Sequence, residues 1–435
     1  MREIPPNALC ALASGRALFL NRRPSTMAHL AIKGGEKACK VEWPSWPVWG
    51  DEERSGLLEV LESGEWWYGS RVREFERAFA EFQGAGFGVT CSTGTAALEA
   101  GLLALGIGAG DEVIVPAYTF VATASSVLRV NAIPIFADIL PDTLCMEPED
   151  AERKISGKTK AIMPVHMGGY VADMDRLRRI ASKHSLFVIE DACHSWGSQW
   201  KGKGTGAIGD CGAFSFQASK NITCSEGGIL LTDSEELAEI ARSYTNCGRG
   251  KDKPWYEHFV LGGNLRLTEF QAALLLAQLT RLESQTLKRH ANAEIITDGI
   301  RDIPGIVTMK PEPRMTRRAY HFYAFRVDVN RFGISVDRFA EALSAEGVPA
   351  YPLYPYPLYK NPLFERSGDG PQYCPVSCPY YGKEIDYTVV SCPVCEQVCR
   401  DTVILPHALL LADESAMHSV VEAIRKVCEH SGELR

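Results

Sequence analysis

Three short segments carry residue types that can do chemistry together. In Phe214-Ser215-Phe216-Gln217-Ala218-Ser219-Lys220 a lysine follows an apolar run, and the turn Ser225-Glu226-Gly227-Gly228 lies just beyond it. A lysine desolvated in such surroundings has a lowered pKa and forms Schiff bases with carbonyl compounds. The run Phe187-Val188-Ile189-Glu190-Asp191-Ala192-Cys193-His194 closes an apolar strand on an acidic pair, where open α/β sheets bind ligands. Cys91-Ser92-Thr93-Gly94-Thr95-Ala96-Ala97-Leu98 ends a strand and opens a helix. Free amides at a helix start, with Gly94 permitting close approach and Thr95 adding a hydroxyl, suit an anion. Taken singly, each has an ordinary explanation: a solvated surface lysine, an acid capping the next helix, a capped helix start. Taken together, a phosphate nest, a strand-end carboxylate and a lysine match the needs of pyridoxal phosphate. That cofactor requires a phosphate anchor, an acid for its pyridinium nitrogen and a lysine for its aldehyde.

Such a site needs a scaffold that ends strands beside helix starts. Apolar runs at 88–91, 112–116, 133–138, 161–165, 186–191, 212–216 and 229–232 alternate with helical stretches at 96–105, 125–130, 174–184 and 235–244. Several runs are apolar on both faces, as strands covered by helices on each side must be. The alternation predicts an α/β domain built on a seven-stranded, mostly parallel sheet with helices on both faces. Ahead of it lie an extended, proline-punctuated segment at 42–50 and helices at 51–62 and 72–82. A long helix is expected over 267–301. Strand-like 320–329, helices at 336–346 and 414–429, and a proline-rich irregular stretch around 352–400 predict a smaller α+β domain. The expected divisions are a partly disordered N-terminal extension over 1–41, a large domain over 42–300 and a small C-terminal domain over 301–435.

Composition narrows the classes. The chain has 435 residues, 46% of them hydrophobic, so it can bury a sizeable core. With 46 basic and 54 acidic side chains the net charge is −8, which gives no overall footprint for nucleic acid. No apolar run reaches the roughly 18 residues of a membrane span. Of the 14 cysteines, Cys91, Cys193, Cys211 and Cys224 fall in apolar strand-like text and read as reduced core thiols of a cytoplasmic protein. Cys374, Cys378, Cys392, Cys395 and Cys399 contain a CxxC that looks like half a zinc site. Their flanks lack a knuckle glycine, and Cys395 and Cys399 lie at helical spacing, so they read as structural thiols and no metal is expected. Residues 1–26 lack the order of a signal peptide, and Met27 reads as a plausible start.

The ordered motifs SGEWW, STGTAAL, GDEVIVPAYTFVATASSV, PVHMGGYVADMD, VIEDACHSWGS, GAFSFQASKNITCSEGGILLT and GGNLRLTEFQAALLLAQL resemble the DegT/DnrJ/EryC1/StrS family. These are sugar and cyclitol aminotransferases of the aspartate aminotransferase-like fold, the fold type I of pyridoxal phosphate enzymes. The resemblance runs from about residue 42 to 430. It implies that Lys220 is the Schiff-base lysine, that Asp191 binds the pyridine nitrogen, and that His194 lies near the cofactor's phenolic oxygen. It also implies that Phe120 stacks on the ring, that Gly94, Thr95 and Ser215 hold the phosphate, and that Asn264 reaches the phosphate of a neighbouring subunit in a homodimer. L-Glutamate or L-glutamine is the implied donor and a keto sugar or keto-cyclitol the implied acceptor. Because Lys220 is present, the family's dehydratases are disfavoured.

Two other readings stand beside this one: a 3-amino-5-hydroxybenzoate synthase-like enzyme, and an accessory protein that binds the cofactor without turnover. Trp66-Trp67-Tyr68 resembles the cyclitol and aminobenzoate branches and is expected to narrow the mouth of the site around a compact ring such as an inosose. A nucleotide sugar would instead want a basic approach, for which Arg71, Arg73, Arg317 and Arg318 are the candidates.

Overall fold

The structure, a computed structural model, describes residues 29–364, 381–382 and 385–435. The seven apolar runs pair into one sheet in the order 87–91, 228–232, 211–215, 187–191, 159–162, 112–116, 133–137. All pairings are parallel except those of Gly228–Thr232, which runs antiparallel to both neighbours. Glu112–Pro116 and Gly228–Thr232 are buried at every position, as central strands covered on both faces must be. The expected fold class is therefore the observed one. The largest displacement is at the fourth strand, expected at 161–165 and found at Thr159–Ile162. Its ladder ends just before Pro164, which has no N–H to donate.

The register gathers the chemistry on one edge. Gly228 is the register partner of both Cys91 and Ser215, and Asp191 pairs with Ala213. The carboxyl ends of strands Phe87–Cys91, Phe187–Asp191 and Cys211–Ser215 thus lie together.

A second core packs around a four-stranded antiparallel sheet in the order 306–308, 322–327, 402–406, 351–352, with helices Val336–Ala345 and Glu414–Glu429. Helix Glu269–Ile300 joins the two bodies. Its Leu275 and Leu282 belong to a cluster on the large sheet, and its Ala293, Ile296 and Ile300 belong to the second core.

Packing redraws two of the expected divisions. Residues 30–43, divided in the sequence reading between an extension and a leading segment, put Leu30, Cys39, Val41 and Trp43 into or against the second core. The fully buried carboxylate of Glu346 accepts hydrogen bonds from the backbone amides of Ala31 (2.7 Å) and Ala38 (2.9 Å) and from Lys426 (2.9 Å). No periodicity announces such an anchor, because one distant carboxylate supplies it. Conversely, the described residues 358–364, 381–382 and 385–399, assigned by sequence to the small domain, pack on the edge of the large sheet. Phe136 meets the rings of Tyr359, Phe364 and Tyr387 within 6 Å. Asp138 caps helix Pro393–Asp401, accepting from the amides of Val394 and Cys395. Cys392, Cys395 and Cys399 are buried in this contact, and all described cysteines are free. Residues 1–28, with Met27, and Cys374 and Cys378 lie outside the described residues. No helix among the described residues is long and apolar enough to cross a membrane.

Candidate active site

A cavity of about 720 Å³ opens at the gathered strand ends. Gly94, Thr95, Phe120, Asp191, His194, Ser215 and Lys220 all line it. The start of helix Gly94–Ala104 is pressed against two strand ends: a Cβ on Gly94 would stand 2.7 Å from the Cβ of Ser215, and one on Gly228 would stand 2.3 Å from the Thr93 carbonyl. Only glycine permits this approach. The result brings the free amides of a helix N-terminus beside the hydroxyls of Thr95 and Ser215, a cradle for a phosphate.

The acidic pair divides its labour. Glu190 is fully buried and satisfied: it accepts from the amides of Gly206, Ile208 and Gly209 and from His166 Nε2 at 2.6–2.8 Å. The Ala172 amide donates to His166 Nδ1, which places the proton on Nε2. Glu190 therefore anchors a loop, and Asp191 faces the cavity. Thr123 donates to Asp191 Oδ2 at 2.7 Å and the Cys193 amide to Oδ1 at 3.2 Å. Since the Thr123 proton goes to Asp191, Thr119 donates to Thr123, at 2.8 Å. The carboxylate is held by this chain in one orientation.

Lys220 is half-buried, with its amine 5.8 Å from the centre of the Trp196 ring. Burial pushes its pKa below the usual lysine value, against the pull of Cys193 and Asp191. His194 is pushed well below the ordinary histidine value, by burial first and by Lys220 second, so it is neutral. Its buried Nδ1 has no hydrogen-bond partner within the chain. His321 packs against it at 4.4 Å. A phosphate cradle, an oriented carboxylate, a neutral orphaned imidazole nitrogen and a desolvated amine around one cavity fit pyridoxal phosphate.

The DegT/DnrJ/EryC1/StrS aminotransferase family matches residues 47–385. The chain belongs to that family. Its members are pyridoxal phosphate-dependent, and this chain is an aminotransferase of fold type I. It is 38% identical to the L-glutamine:2-deoxy-scyllo-inosose aminotransferase of Streptomyces fradiae, over 94% of this chain and 99% of that one. It is 35% identical to the 3-amino-5-hydroxybenzoate synthase of Amycolatopsis mediterranei, over 88% and 96%. The crystal structure of a 3-amino-5-hydroxybenzoic acid synthase superposes with a TM-score of 0.81 at 34% identity, covering 90% of this chain and 99% of that one.

Asn264 is exposed, bridges Asn246 through the backbone and lies outside this chain's own cavity, a placement compatible with service to a neighbouring subunit. Two other expectations meet a different placement. Trp66 and Trp67 do not line the cavity. Trp67 is tied by a backbone bridge to Thr268 and lies under Arg266, while Trp66 lies against Phe270. The candidate phosphate-binding arginines are engaged elsewhere: Arg71 with Glu59 and Glu74, Arg317 with Glu283, Arg318 buried over the Tyr320 ring, and Arg73 on the Tyr68 carbonyl.

Sequence reasoning missed Trp46, Tyr354, His321 and His407, which line the cavity from the leading segment and the second domain. The signals were faint: a histidine opening HFYAF, and another closing strand Thr402–Pro406 in LPH.

Proposed function

We propose that this aminotransferase transfers the amino group of L-glutamine or L-glutamate to a small cyclic ketone of the inosose type, in aminocyclitol biosynthesis. The observation that carries the reading is the character of the cavity wall. Its described lining holds one ordinarily cationic side chain, Lys220, and no arginine, beside aromatic walls from Trp46, Phe120 and Tyr354. Such walls suit a compact polyhydroxy ring, whereas a nucleotide diphosphate calls for guanidinium groups. The inosose aminotransferases among the relatives support the same class.

The chain's own residues divide the work as follows. Gly94, Thr95 and Ser215 hold the cofactor phosphate, Phe120 supports one ring face and His194 Nδ1 serves the phenolic oxygen. Asp191, oriented by Thr123, would bind the pyridine nitrogen and favour its protonated form. When bound, pyridoxal phosphate supplies the aldehyde and the electron sink that make the donor's Cα proton acidic. Lys220, poised by burial beside that proton, would take it as general base and give it back as general acid. The same groups run the reverse sequence on the ketone. A homodimer in which Asn264 serves the partner subunit's site completes the reading, and the free thiols support a cytoplasmic location.

The likeness to 3-amino-5-hydroxybenzoate synthases supports a second reading, in which the acceptor is an aminobenzoate precursor. Competition decides between acceptors. The amino-loaded enzyme is offered an inosose, a nucleotide-linked keto sugar and a cyclic aminobenzoate precursor together, and products are counted by mass spectrometry. Dominant amination of the free inosose is expected. Faster amination of either competitor overturns the proposed acceptor class.

A further inference from the structure

Residues flanking Lys220 are gripped by parts of the chain far from it in sequence. Trp46 Nε1 donates to the Ala218 carbonyl at 3.2 Å, and His407 Nε2 lies 3.0 Å from the Ser219 carbonyl. Asn221 donates to the carbonyls of Ala319 and Tyr320. Trp46 packs edge-on against His407 at 4.5 Å. Behind His407 stands Arg289, a fully buried guanidinium on helix Glu269–Ile300. Its terminal nitrogen lies 3.2 Å from His407 Nδ1, and its face lies 5.5 Å from the Trp46 ring centre.

Arginine has only donors, so His407 Nδ1 must accept. The ring proton then sits on Nε2, the nitrogen that faces the Ser219 carbonyl. Burial keeps this imidazole neutral, with Arg289 adding to the effect. The arrangement is costly: Arg289 Nε and Nη1 have no hydrogen-bond partner in the chain, and burial lowers the Arg289 pKa to about 9. An apolar side chain would fill the space at less cost, so packing alone does not explain a guanidinium here.

We propose that Arg289 and His407 form a positioning relay: Arg289 fixes the Nε2–H tautomer of His407, and His407 holds the Ser219 carbonyl and thereby the Lys220 amine in working position. This rests on the reading that Lys220 carries the cofactor. Neither residue need touch the reacting atoms.

The test uses full-length enzyme loaded with pyridoxal phosphate: wild type, His407→Ala, His407→Gln, Arg289→Met and the His407→Gln/Arg289→Met double variant. Two readouts are followed: the single-turnover rate with L-glutamine, and the pH midpoint of the bound cofactor's visible band. His407→Ala is expected to keep the cofactor, shift the midpoint and slow the turnover about 10–100-fold, the scale of a small misplacement. In His407→Gln the side-chain amide nitrogen reaches the same carbonyl without needing Arg289, and most of the rate and the midpoint return. Arg289→Met should therefore slow the histidine enzyme at least about tenfold more than the glutamine enzyme. Equal effects of Arg289→Met in the two backgrounds, or wild-type midpoints and rates in every variant, overturn the relay. If His407→Ala does not fold, the glutamine comparison still decides. A wild type whose visible band is not due to Lys220, shown by borohydride fixation elsewhere, refutes the underlying reading before any variant is compared.

Discussion

The strand-end edge of the large sheet and the seam between the two bodies meet at the same cavity but are built by opposite means. At the edge, each functional group follows its own strand by a few residues: Thr95 after Cys91, Asp191 closing its strand, Lys220 shortly after Ser215. Local sequence therefore carries both the scaffold and the chemistry. At the seam, Trp46, Arg289, His321 and His407 come from four separated segments and meet only through tertiary packing. The edge explains what reaction is possible, and the seam explains how the lysine is held for it.

The two regions should respond differently to substitution. Lys220→Ala strikes the edge and should abolish measurable transamination while leaving cofactor held by phosphate and ring contacts, as equilibrium dialysis with pyridoxal phosphate would show. Asp191→Asn should slow the half-reaction with L-glutamine by about 10²–10⁴-fold, the scale of a lost proton-handling group, with little change in thermal stability. Retained rate in stopped-flow absorbance would remove Asp191 from the account.

Away from the edge, damage should appear as lost stability. Glu346→Leu deprives Lys426 of a buried partner and leaves the Ala31 and Ala38 amides unpaired. It should cost about 3–5 kcal/mol in urea unfolding, while activity per folded molecule persists. Phe136→Ala opens a hole where three aromatic rings meet and should cost about 3–5 kcal/mol with the cofactor still bound.

A smaller effect sharpens the edge itself. In cofactor-free protein the Lys220 amine is neutral, and so reactive, above its pKa. Burial lowers that pKa, so labelling of Lys220 by an acylating reagent should rise with pH at a midpoint below the ordinary lysine value of 10.5. Coincidence with the surface lysines in a mass-spectrometric titration would show that the amine is not desolvated.

Legibility in the sequence follows the same division. Strand Glu112–Pro116 and helices Met174–His184 and Glu414–Glu429 fall at their expected residues, because period and capping are local. Residue types alone do not separate Asp191 from Glu190; the family resemblance selects Asp191, and the amides of Gly206, Ile208 and Gly209 that claim Glu190 supply the physical reason. Trp66 and Trp67 suggested a cavity mouth by type, yet Thr268 and Arg266 hold Trp67 elsewhere. The role of Glu346 and the packing of 358–364 and 385–399 on the large sheet rest on long-range contacts, which no window of sequence displays.

The most direct test of the central claim is chemical. The yellow protein, loaded with pyridoxal phosphate, is reduced with borohydride, digested and mapped by mass spectrometry. The account predicts a pyridoxyl adduct on Lys220, in the peptide that contains Phe216-Gln217-Ala218-Ser219. An adduct on another lysine, or none, would contradict it.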